Sequence, residues 1–278
     1  MKSVALLLLP LAVHAAAPAS DWSPNLVLTT AWRNNASNGE AVWDRVDALK
    51  LGADVLASSA YAVSREDAFH LSLHLGGDWY PRFLNLDSAA GGARLDWTHT
   101  FGRTPLAPVF AVEAAGDYVS TVESAQRGRS GALTLKLAKR FGRSWHASLR
   151  ERFDRYLAKS DVFDSSSNEA SFEVGRDLNE ATRIVASARW RDGDVVTYAQ
   201  YHRPDLLAIA RASTPVKTFH QWMTAYATSA HTVAGRIAIV HATSEAAAVE
   251  LGYEYAETKR PALRFANQTV YLTLIRQY

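Results

Sequence analysis

Phe69-His70-Leu71-Ser72-Leu73-His74-Leu75 alternates without a break, with Phe and three Leu at odd positions and His, Ser and His between them. Successive side chains of an extended chain point to opposite faces, so this stretch reads as a strand with one oily and one polar face. The pattern recurs in Ala132-Leu133-Thr134-Leu135-Lys136-Leu137, in Ser171-Phe172-Glu173-Val174 and in Ala248-Val249-Glu250-Leu251-Gly252-Tyr253-Glu254-Tyr255. Beyond about residue 20 no apolar run approaches the length of a membrane-crossing helix. Period-two alternation along nearly the whole chain makes it all-β.

A spacing organises these strands. Phe101-Gly102-Arg103 and Phe141-Gly142-Arg143 are the same tripeptide about forty residues apart, each between two alternating runs, and each is expected to form a tight turn. Equivalent turns fall near Ser58–Glu66, Asp177–Ala181 and Thr243–Ala246. Five short turns imply six hairpins and twelve strands. The first six are read at Asn25–Arg33, Asp47–Leu56, Ala68–Trp79, Gly91–Phe101, Val109–Tyr118 and Ala132–Phe141. The others are read at Trp145–Tyr156, Ala170–Leu178, Arg183–Tyr198, Thr218–Ala242, Ala247–Glu257 and Leu263–Tyr278. Residues Ala225 to His241 keep one parity, so they read as a single long projecting strand. A hairpin near Ser229–Thr232 would raise the count to fourteen. The longest connection, Ala199–Lys217, includes a short helix signal at Arg203–Arg211, and loops of that length are candidates for gating or ligand contact.

The two ends say where such strands go. Met1-Lys2-Ser3, the apolar run Val4–Val13 and Ala15-Ala16-Ala17 have the layout of a secretory signal peptide over residues 1–17, leaving 18–278 as one barrel domain. The last strand puts Val270, Leu272, Leu274 and Tyr278 on one face. Such an amphipathic strand closing on an aromatic resembles the C-terminal signal of Gram-negative outer-membrane β-barrels. The resemblance implies an antiparallel up-and-down transmembrane barrel with its oily face toward lipid. It also implies lipid and lipopolysaccharide as surroundings, recognition of the last strand by the barrel assembly machinery, and a monomer. Arg276 departs from the apolar choice on that face and is tolerable at a membrane edge, where a long side chain snorkels. Glu151 falls on lipid-facing parity as well, unless a β-bulge rotates it inward.

Composition narrows the chemistry. The absence of cysteine excludes thiol catalysis and cysteine-based zinc sites, and a net charge of +2 is too balanced for a nucleic-acid binder. His70, His74 and Asp78 share a face but stand about 13 Å apart per step, too far for one metal. No cofactor is called for. His70-Leu71-Ser72 and His146-Ala147-Ser148 match the His-x-Ser pairs of outer-membrane lipid hydrolases and leave such an enzyme as a less favoured alternative. Leu71, Leu73 and Leu75 on the lipid side turn His70 and Ser72 into the lumen, away from the side such chemistry needs. The expected lumen-facing polar network comprises His70, His74, Arg94, Asp96, Lys136, Arg150, Arg152, Asp154, Glu250 and Glu254. Both signs of charge occur in it, which fits a narrow channel or small-solute pathway, or else an occluded structural barrel.

Overall fold

The structure, a computed structural model, describes residues 22–219 and 221–278. The leader expected over residues 1–17 lies outside them. Thirteen strands form one antiparallel sheet: β1 (Ser23–Arg33), β2 (Ala48–Ala62), β3 (Asp67–Trp79), β4 (Ser88–Thr100), β5 (Val109–Thr121), β6 (Gly128–Phe141), β7 (Trp145–Ala158), β8 (Ser165–Asp177), β9 (Thr182–Ala199), β10 (Ala212–Val216), β11 (Met223–Ser244), β12 (Ala247–Arg260) and β13 (Leu263–Gln277). Among the described residues one short α-helix, α1 (Pro204–Ile209), precedes β10. All strands except β10 close into a twelve-stranded barrel, because β9 pairs with β11 and β1 pairs with β13. The seam runs from Asn25↔Gln277 to Arg33↔Thr269, and the Tyr278 N–H donates to the Pro24 carbonyl at 3.0 Å.

Alternation decides which face is which. Leu71, Leu73 and Leu75 are exposed, the last at 67%, while Ser72 between them is 7% exposed. Leu95, Leu133, Leu137, Leu149, Phe172, Ile237, Leu251 and Leu272 carry the same exposed oily surface round the barrel. A closed barrel with its apolar side chains outside is built for lipid, since every backbone ladder is satisfied and no edge remains. Tyr61, Phe101, Phe141, Trp145 and Tyr278 are exposed at the short-turn end, and Trp32, Trp79 and Tyr118 at the long-loop end. These are the two interfacial girdles. Arg276 places its guanidinium 5.0 Å from the centre of the Tyr278 ring. Glu151 remains outward, in direct register with Leu135, and the β6–β7 ladder shows no bulge that would turn it in.

Two expectations about connections are corrected. Phe141-Gly142-Arg143 forms a tight turn, with Gly142 at φ +65, but Phe101-Gly102-Arg103 opens a connection that runs on to Pro108. The segment read as a strand from Thr218 enters the sheet only at Met223. β11 is one continuous strand paired with β9 from Thr224↔Ala199 to His241↔Thr182, so no hairpin interrupts it near Ser229.

That long pairing builds a flap. β8 accompanies β9 only as far as Ser167↔Gly193, and beyond it β9 pairs with β11 alone. A Cβ on Gly193 would fall 2.4 Å from Cβ of Ser167, so only glycine fits where the strands part. β12 reaches no further along β11 than His231, and β10 takes its place from Met223 to Ala227. β10 therefore covers an edge that would otherwise project unpaired.

The flap and the long loops form an apolar cap at the extracellular mouth. Phe83, Val162, Phe163, Tyr198, Phe219 and Met223 are buried together, with Phe219 edge-on to Phe83 at 5.3 Å and to Tyr198 at 5.1 Å. On the other side of the flap, Leu206 of α1 packs with Tyr226, Leu263 and Phe265. The loop between β1 and β2 reaches over to β9: Asn38 Nδ2 donates to the Val196 carbonyl (2.9 Å) and Thr197 Oγ1 donates to the Asn38 carbonyl (2.6 Å). Asn35, Ser37 and Asp44 of this loop are buried, and the Gln200 N–H donates to Asp44 Oδ1 at 2.8 Å.

Candidate functional site: the charged lumen

Inward parity places charged residues in registered rows around the lumen. Lys136 (β6), Arg150 (β7), Ser171 (β8) and Arg189 (β9) are successive cross-strand partners. A second row joins His70 (β3), Asp96 (β4), Glu113 (β5), Thr134 (β6) and Arg152 (β7). Each strand contributes every second residue, so the alternation that supplies the lipid surface also supplies these rows.

On the β6–β12 side a cavity of about 310 Å³ opens among Lys136, Arg150, Glu173, Arg189, Arg236, Glu250 and their neighbours. Arg236 reaches Glu173 (3.2 Å) and Glu250 (3.5 Å), and Arg189 reaches Glu254 (2.9 Å) and Glu169 (3.7 Å). Tyr271 Oη donates to Glu250 Oε1 at 2.6 Å. These contacts tie β8, β9, β11, β12 and β13 together from inside. His146 lines the same cavity, its ring lying against Gly175, where a Cβ would be 1.8 Å away.

Of the residues proposed from sequence, Lys136, Arg150, Glu250 and Glu254 meet at this cavity. Arg152 and Asp154 pair with each other at 2.6 Å, and His74 faces Asp117 at 3.2 Å. Asp96 and Glu113 are register partners, His70 lies beside Asp96, and the Arg94 Nε is buried with no hydrogen-bond partner among the described residues. The structure adds Glu169, Arg183, Arg189 and Arg236, which sequence reading passed over. The signal for them was present: Arg183, Arg189 and Arg191 alternate with Ile184, Ala188 and Trp190, and Arg236 is flanked by Gly235 and Ile237. His70 with Ser72, and His146 with Ser148, share inward parity, so neither pair is presented to lipid.

Above the lumen, Arg203 ties the cap. Its guanidinium meets Glu40 at 2.7 Å and Asp205 at 2.6 Å, linking the first loop to the start of α1. These hydrogen bonds, that to Asp205 foremost, hold the guanidinium charged, and the same contact keeps the Asp205 carboxyl below its usual range. Burial pushes the Tyr198 phenol upward, so it stays neutral within the cap. Among the described residues no group of three or more His, Cys, Asp or Glu side chains is placed to hold a metal.

The chain is thus a twelve-stranded up-and-down β-barrel of the outer-membrane kind, its oily surface outside and a charged lumen within. No family model and no curated protein matches its sequence. Among solved structures it is similar in fold to the COG4313 outer membrane channel from Pseudomonas putida F1, at TM-score 0.60 and 10% identity, over 95% of this chain and 97% of that one. A looser likeness, at TM-score 0.49 and 10% identity over 92% of this chain and 88% of the other, is to the CymD monoaromatic hydrocarbon channel.

Proposed function

We propose that the protein is a narrow outer-membrane channel for small solutes, with a cap over its extracellular mouth. The observation that carries this reading is the charged cavity inside the barrel wall. A wall serving only as a scaffold gains nothing from space among charged groups, because unfilled charge costs solvation that packing does not return. The cap favours the second reading, an occluded barrel, since Asn35, Ser37, Asp44 and Tyr198 are all buried there. The two differ in whether the cap opens. The protein sits in the membrane as a monomer among lipid and lipopolysaccharide, delivered by the assembly machinery through its last strand.

Planar-bilayer recording of the refolded chain tests this. Discrete current steps are expected, rarer in the intact protein than in a variant lacking the Glu40–Arg203 contact. Absence of steps in the intact protein and in a variant with residues 200–222 shortened rejects the channel.

A further inference from the structure

We infer that the lumen cavity holds a small carboxylate- or phosphate-bearing anion between Lys136 and Arg150. This deepens the permeation reading at the same site. A charge inventory of the lining carries it. Glu173 and Glu250 are engaged by Arg236, and Glu169 and Glu254 by Arg189. Arg183 is engaged by Asp177 at 2.6 Å. Lys136 and Arg150 remain, and among the described residues neither meets a carboxylate at ion-pair distance.

Their placement sharpens the point. They are direct register partners across β6 and β7, which sets their Cβ atoms roughly 5 Å apart. Like charges facing each other across a ladder repel, and a low-dielectric wall strengthens the repulsion. Asp96 and Glu113 stand one row away on the Lys136 side, and Glu169 and Glu173 flank Ser171 on the Arg150 side, where Arg189 and Arg236 already engage them. Ser171 comes after Arg150 in the row and Ser148 lines the cavity below, offering hydroxyl donors beside the two cations. A planar guanidinium, an ammonium and two hydroxyls match the oxygens of a carboxylate or phosphate.

The experiment uses the full chain refolded in detergent, with its thermal midpoint read by heat-dependent gel mobility. Sodium succinate and sodium phosphate are compared with sodium chloride at matched ionic strength. One or both are expected to raise the midpoint, and which one does so separates a carboxylate ligand from a phosphate ligand. Arg150→Gln is expected to weaken the response about tenfold or more, as loss of one charge-assisted contact implies. The same change raises the midpoint in chloride, because it relieves the facing charges. Arg150→Lys keeps the response, and Arg82→Gln, which removes an exposed loop cation facing Asp47, leaves it unchanged. The inference falls if succinate and phosphate act no differently from chloride, or if Arg150→Gln and Lys136→Gln titrate like the parent. Bilayer recording separates the two proposals. An anion response that the variants abolish, in a protein passing no current, removes the channel and leaves the binding site standing.

Discussion

Replacing Gly252 with alanine isolates one contact of the lumen wall. Gly252 and Tyr271 are register partners on β12 and β13, and the tyrosine ring lies across the glycine. A Cβ there would stand 2.2 Å from Cζ and 2.3 Å from Oη. No rotamer adjustment of a methyl group relieves such an overlap, so the ring must swing away. Its hydroxyl then leaves Glu250, to which it donates at 2.6 Å, and that carboxylate, only 8% exposed, keeps just the 3.5 Å contact with Arg236. Loss of a hydrogen bond to a charged acceptor costs about 1.5–3 kcal/mol. The lost cross-strand contact adds about 0.5 kcal/mol. Gly252→Ala should therefore destabilise by about 2–3.5 kcal/mol. Gly235→Ala is the control, because nothing lies within 4 Å of its Cβ, and it should fall within about 0.5 kcal/mol of the parent. Urea titration in lipid vesicles, monitored by tryptophan fluorescence, measures both. In a Tyr271→Ala background the penalty of Gly252→Ala should largely vanish. If Gly252→Ala matches Gly235→Ala in stability, the reasoning is wrong.

Leu73→Arg places a charge on the outward face of β3, and near the bilayer midplane should cost about 2–4 kcal/mol; a lower urea midpoint than for Ser72→Ala checks this. Arg203→Ala severs both Glu40 and Asp205 and should make bilayer current steps more frequent while leaving the conductance of each step unchanged. The Asp205 carboxyl is held low by Arg203, so its contribution to docking α1 is complete above the ordinary carboxylate range. It disappears as pH falls through the depressed value. Fluorescence of the exposed Trp43 and Trp222 in the cap should report that acid transition in the parent, and Asp205→Asn should lack it.

Much of the barrel was legible because one face of each strand must suit lipid. Phe69–Leu75 could be assigned from parity alone, and the unbroken parity of Ala225–His241 correctly argued for one long strand in β11. Turns were harder. The two Phe-Gly-Arg tripeptides differ in their C-terminal neighbours: Ser144-Trp145 resumes a strand at once, whereas Thr104-Pro105 introduces a residue with no N–H for the ladder. The cap had no periodic signal, since Phe83, Phe163 and Phe219 come from three connections far apart in the chain. In the lumen, parity says which side chains point inward but not their height or angle around the wall. The Arg236–Glu173 pair spans from β11 to β8 across β9, and only the assembled register brings those two residues together.

The seam between β1 and β13 has a consequence for how this chain reaches its folded state. Its pairs join residues separated by almost the whole sequence, while most other ladders join immediate neighbours through short connections. Loop closure over such a span is slow, and hairpins outpace it. Until the seam forms, the row of N–H and C=O groups along Asn25–Arg33 has no partner, and lipid cannot supply one. The curved sheet must therefore wait at the membrane surface, where water or an assisting protein satisfies that edge, and cross the bilayer as it zips shut.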